Sequence, residues 1–147
     1  MNETEAHGGL PANPYHPHAW ILGEPEIAPG CWIGAFTVID GSGGLTIGQD
    51  CNISAGAHIY THSTVARCVS EGEAPIERRS VVIGRNVYIG AQAVVLMGAE
   101  IGDHSAIAAG AVVKEGTIAP PYSLLRGVPA VVVEGGAKKF LPEASSE

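Results

Sequence analysis

The chain has 147 residues, 46% of them apolar but only 5% aromatic, and a formal net charge of −7. That much apolar content excludes a disordered chain, the acidic balance argues against nucleic acid and anionic membrane as partners, and the length suits one domain or two. Twenty glycines and ten prolines exceed ordinary usage and exclude a helical bundle, whose interiors do not tolerate that density of breakers.

Residues 1–19 carry His7, His16 and His18 among Gly and Pro without periodicity, and read as an N-terminal capping arm. The opening Met1-Asn2-Glu3-Thr4-Glu5 is acidic where a secretory signal is basic. No apolar run approaches the roughly 20 residues of a membrane span. A cytoplasmic protein without membrane insertion is therefore expected. Cys31, Cys51 and Cys68 are odd in number and form no Cys-x-x-Cys pair, which fits reduced thiols rather than a disulfide framework or a cysteine zinc site.

From Ile27 onward aliphatics recur every six residues: Ile27, Ile33 and Ile39, then Ile47, Ile53, Ile59 and Val65, then Ile83, Ile89, Val95, Ile101, Ile107 and Val113. Four residues after these stand small or β-branched residues, among them Cys31, Thr37, Cys51, Ala57, Ala93, Ala99 and Ala111. No helix has this period, and strand alternation cannot pass each small residue without turning. Short strands joined by sharp corners satisfy it. Three hexads then make one triangular coil, and stacked coils pair in parallel about 4.8 Å apart with the aliphatics in columns along the axis. The expected fold is an all-β parallel β-helix over residues 20–133, with a tail at 134–147.

Two interruptions break the period. Asp40-Gly41-Ser42-Gly43-Gly44 delays the next aliphatic by two residues, and from about 66 to 80 the repeat vanishes in a polar segment read as one protruding loop. Insertions of this kind are where solenoids place function. Beyond Pro120-Pro121, residues 127–133 read as an extended strand covering the last coil.

His58-Ile59-Tyr60-Thr61-His62 before the loop, Val87-Tyr88-Ile89-Gly90 after it, Ile101-Gly102-Asp103, Ala109-Gly110-Ala111-Val112-Val113 and Gly127-Val128-Pro129-Ala130 resemble the hexapeptide-repeat acyltransferases. Specifically, they resemble the sugar and polysaccharide O-acetyltransferases of the maltose and galactoside type. The resemblance implies a left-handed coil, acetyl-CoA as donor, no metal, and a homotrimer with each site built from two chains. It also implies that His62, at the loop's entrance, is the general base that takes the proton of an acceptor hydroxyl. His58 ranks second and is placed in the acceptor pocket with Tyr88, which stands where relatives carry a tryptophan. Asp40 is open to three readings: partner of the base, acceptor of a sugar hydroxyl, or turn residue beside Gly41.

For the donor the resemblance points to Gly90 and Ala91 at the thioester oxygen and to Ala109 and Gly110 along the pantetheine arm. Lys114 and Arg126, with Lys138 and Lys139, are offered to the CoA phosphate. Val131 stands where relatives have an arginine. The competing readings are a gamma-class carbonic anhydrase, in which His58, His62 and His104 would hold zinc, and a non-catalytic scaffold.

Overall fold

The computed structural model describes residues 15–143. His7 of the arm and the last four residues of the tail lie outside the described residues. Short strands succeed one another around three faces of a prism. The first face stacks Trp20–Leu22, Val38–Asp40, His58–Ile59, Val94–Val95 and Val112–Val113. The second stacks Glu26–Ile27, Leu45–Ile47, Val81–Ile83, Glu100–Ile101 and Ile118–Ala119. The third stacks Trp32–Ile33, Asn52–Ile53, Tyr88–Ile89, Ala106–Ile107 and Leu124–Arg126. All these neighbours pair in parallel, consistent with the left-handed β-helix that the resemblance implies.

The register turns the period of six into columns. Ile21, Ile39, Ile59, Val95 and Val113 lie above one another on the first face. Ile27, Ile47, Ile83, Ile101 and Ala119 do so on the second, and Ile33, Ile53, Ile89, Ile107 and Leu125 on the third. Branched side chains with few rotamers suit such stacking, and each fully buried one contributes about 1.5–3 kcal/mol. The small residues line the corners: Cys31, Cys51 and Val87 are buried in one, Ala57, Ala93 and Ala111 in another. The two buried thiols donate to corner carbonyls, Cys31 to Gly48 at 3.1 Å and Cys51 to Gly84 at 3.0 Å.

One repeat position is not what its spacing suggests. Val65 belongs to no column; it opens the short helix Val65–Val69 and is 59% exposed. Ile59 is followed in the prism by Ile83, twenty-four residues on where six suffice, so eighteen residues leave the coil. That excess equals one whole coil, which keeps Val65 and Ile83 in phase along the chain while they are unrelated in space. The excursion also starts earlier than residue 66, because His62–Ser63 pairs antiparallel with Glu77–Arg78 to form its stem.

The ends differ from the sequence expectation in detail. Tyr15 already bridges to Ile33 in parallel, so the final residues of the arm join the first coil. Val131–Val133 pairs antiparallel with Leu124–Arg126, lengthening the third face rather than lying across the last coil. A 3-10 helix, Gly136–Phe140, then buries Ala137 against Ala106 and Leu124. No helix among the described residues is long and apolar enough to cross a membrane.

Candidate active site

The corner between the first and second faces carries both interruptions. Asp40 ends a first-face strand, and the glycine-rich bulge after it folds its carboxylate inward, where it is 0% exposed. One oxygen accepts from the Ser42 N–H at 2.9 Å; the other accepts from the Thr61 N–H at 2.9 Å and lies 2.5 Å from His62 Nδ1. The Thr61 hydroxyl donates to the Asp40 carbonyl and accepts from the Gly43 N–H, tying bulge to loop stem. Only glycine permits this approach, since a Cβ on Gly43 would stand 2.2 Å from the Thr61 carbonyl oxygen.

Burial alone would raise the Asp40 pKa, but the hydrogen bonds from Ser42, Thr61 and His62 outweigh it and hold the carboxyl well below the usual carboxylate range. An ionised carboxylate only accepts, so the proton between the two groups belongs on His62 Nδ1. In the neutral ring that arrangement puts the lone pair on Nε2, and the ring is 31% exposed. Of the three readings of Asp40 this geometry accommodates two at once: one oxygen holds the turn through the Ser42 N–H, the other is the partner of His62, and neither oxygen is left over for a sugar hydroxyl.

His58 stands on the first face four residues before His62, with Nδ1 3.0 Å from the Tyr60 hydroxyl. The Tyr60 ring meets His58 and His62 edge-on, at centroid distances of 5.7 and 6.3 Å. A groove of about 460 Å³ opens beside them, with Trp20, Leu22, Val38, Asp40, Tyr60 and His62 among its lining. Nothing in the sequence around Trp20 marks it as part of a site. The same is true of Arg78, which lies directly across the loop stem from His62. Neither has a local signal: both reach His62 only through pairing of distant strands.

The residues assigned to the donor lie elsewhere in the prism. Gly90 and Ala91, and below them Ala109 and Gly110, stack at the corner between the third and first faces, where a Cβ on Gly90 would meet the Ala109 nitrogen at 2.5 Å. The Gly90 N–H is taken by the Ile107 carbonyl and that of Gly110 by Ala91, while the N–H groups of Ala91 and Ala109 have no acceptor among the described residues. Two amide donors thus remain open, one above the other, on an edge of small residues. Arg126 is exposed at the end of a third-face strand beside this edge. Lys114 is exposed at the other edge, the one bearing His62.

Tyr88 is 47% exposed on the third face and lines a separate cavity of about 500 Å³ under the C-terminal 3-10 helix, so within one chain it does not meet His62. His104 stacks on Tyr122 at the remaining corner, away from His58 and His62. Among the described residues no three His, Cys, Asp or Glu side chains are grouped to hold a metal ion.

Comparison with known proteins agrees with the repeat. The model of the bacterial transferase hexapeptide (six repeats) matches residues 80–115, and that of the hexapeptide repeat of succinyl-transferase matches residues 29–61. The chain is 31% identical over 123 residues to the carnitine operon protein CaiE of Escherichia coli (strain K12), covering 80% of this chain and 62% of that protein. It is 35% identical over 113 residues to the serine acetyltransferase of Mycobacterium tuberculosis, covering 77% and 47%. The chain thus spans less than two thirds of the length of these relatives. Among solved structures, a hexapeptide-repeat containing acetyltransferase of Vibrio cholerae superposes with a TM-score of 0.58 at 25% identity, over 79% of this chain and 69% of the other. AntD, an N-acyltransferase from Bacillus cereus, shares the fold with a TM-score of 0.67 at 20% identity, over 80% and 66%. Both repeat models fall on stacked coils of the prism, so the chain carries hexapeptide repeats and folds as the hexapeptide-repeat acetyltransferases do.

Proposed function

We propose that the protein is a CoA-dependent acetyltransferase that moves the acetyl group of acetyl-CoA to a hydroxyl or amino group of a sugar or polysaccharide precursor. The observation that carries this reading is the buried Asp40 carboxylate on Nδ1 of His62, which leaves an accessible basic nitrogen at the root of the loop. Nε2 takes the proton of the acceptor hydroxyl as its oxygen attacks the thioester carbonyl. Asp40 stabilises the imidazolium that forms, as a carboxylate does in other base-orienting pairs. The open N–H of Ala91 is suited to the oxyanion, and that of Ala109 to a carbonyl of the pantetheine arm. Collapse of the tetrahedral intermediate expels the CoA thiolate, which recovers the proton from His62.

His62 and the Ala91 edge stand at opposite borders of the first face, so the reading needs a second copy to bring an edge against the base. A homotrimer with three shared sites meets that need. Three free cysteines and the acetyl-CoA requirement favour the cytoplasm. The test is thermal unfolding with and without millimolar acetyl-CoA, followed by thiol release in a panel of sugars. A ligand at 100 times its Kd stabilises by about 2.7 kcal/mol. No shift with acetyl-CoA, or thiol release that survives His62→Ala, would overturn the reading.

A further inference from the structure

We propose that the acceptor lies in the groove between Trp20 and His62 and stacks a ring face on the Trp20 indole, so that Trp20, not Tyr88, is this chain's aromatic platform for the acceptor. The proposal rests on the acyl-transfer reading for its chemistry and on four observations for its place. His62, the residue with the accessible basic nitrogen, itself lines the groove. The indole of Trp20 is 62% exposed although it sits within a paired strand, so its ring is presented to solvent rather than used in the core. The remaining lining is Leu22, Gly23 and Val38, with Ser42 and Tyr60 supplying hydroxyls and Asp40 a carboxylate whose oxygens are already taken by Ser42, Thr61 and His62. A volume of about 460 Å³ falls in the range of small-ligand sites, which combine an apolar wall with a few polar groups.

No lysine or arginine lines this groove. A ligand with a carboxylate or phosphate would find no counter-charge within it, and the one cation across the stem from His62 is Arg78, outside the lining. The chemistry therefore selects an uncharged ring with hydroxyls on its rim and C–H groups on its face, such as a neutral pyranoside. Such a face packs on an indole with little entropy cost, because Trp has only two side-chain torsions.

The test uses Trp32→Phe, which leaves Trp20 as the only tryptophan of the two in the chain. Its emission is titrated with methyl α-glucopyranoside, methyl β-galactopyranoside and N-acetylglucosamine, and with L-serine as the zwitterionic comparison that carries a carboxylate. We expect a saturable change with at least one sugar and none with serine. In the otherwise natural chain, Trp20→Ala should raise the KM of that sugar about tenfold, equivalent to about 1.4 kcal/mol, with the KM of acetyl-CoA unchanged. Trp20→Phe should restore most of it. A flat response to every sugar, or a response to serine alone, overturns the subsite. So does a Trp20→Ala variant that changes the KM of acetyl-CoA or the mass by light scattering, since Trp20 would then serve the donor or an interface. Sugar binding without any acetyl transfer would instead sink the acyl-transfer reading, and transfer without a Trp20 response would sink this one alone.

Discussion

Replacing Asp40 by Asn keeps the shape of the carboxylate and changes only which atoms accept. Asp40 receives N–H groups from Ser42 and Thr61 and the Nδ1 proton of His62. An amide offers one oxygen, so it can serve Ser42 or the Thr61–His62 side but not both. If its NH2 faces His62, the imidazole must accept at Nδ1 and carry its proton on Nε2, which removes the base; it also confronts the Thr61 N–H with a second donor. One buried donor left without an acceptor costs about 1–3 kcal/mol of stability. Loss of the basic tautomer should lower kcat by about 10²–10⁴, corresponding to about 3–5 kcal/mol of barrier. The upper end matches the effect of the corresponding Asp-to-Asn change in serine proteases, where the wrong imidazole tautomer results. Thiol release at saturating acetyl-CoA measures kcat, circular dichroism on heating measures stability, and the KM of acetyl-CoA should stay within about twofold because Asp40 touches no donor edge. A variant with kcat within threefold of the natural protein would refute the assignment of Asp40 to His62.

The same carboxylate predicts an acid response. Its folded pKa lies below that of a free aspartate, so its contribution is fully present above the unfolded value of about 3.9 and is lost as pH falls from there through the folded pKa. Asp40→Asn should therefore lose less stability than the natural protein below about pH 4, and parallel acid melts would refute this. Excising residues 63–78 with a short linker should leave the prism folded, because the excursion equals one coil and Ile59 and Ile83 are already consecutive in the core; circular dichroism should keep its β signature while transfer is abolished. Ile89→Ala, at the centre of a column and 0% exposed, should cost about 2–5 kcal/mol in chemical denaturation, against about 0.5–1.5 for Ile89→Val. Equal costs for the two would show that the column is not close-packed.

The columns were legible in the sequence because they depend on local facts. A branched aliphatic every six residues and a small residue four later leave one way to turn the chain without clash or void, and Ile33, Ile53, Ile89 and Ile107 occupy it. His62 could likewise be singled out, since its position before an interruption is a sequence property. What stacks on what is not local. Val65 keeps the period yet lies outside the core, because an insertion one coil long preserves phase while removing the backbone that would have paired. Asp40 and His62 are twenty-two residues apart and meet only because Thr61 and Gly43 lock a bulge against the next coil. Trp20 and Arg78 approach His62 from opposite directions in the chain, through a parallel first-face ladder and an antiparallel stem. Side-chain volume and period act over a few residues and are written in them; carboxylate orientation and the assembly of a groove are set by hydrogen-bonded ladders between coils, which exist only once the prism has closed.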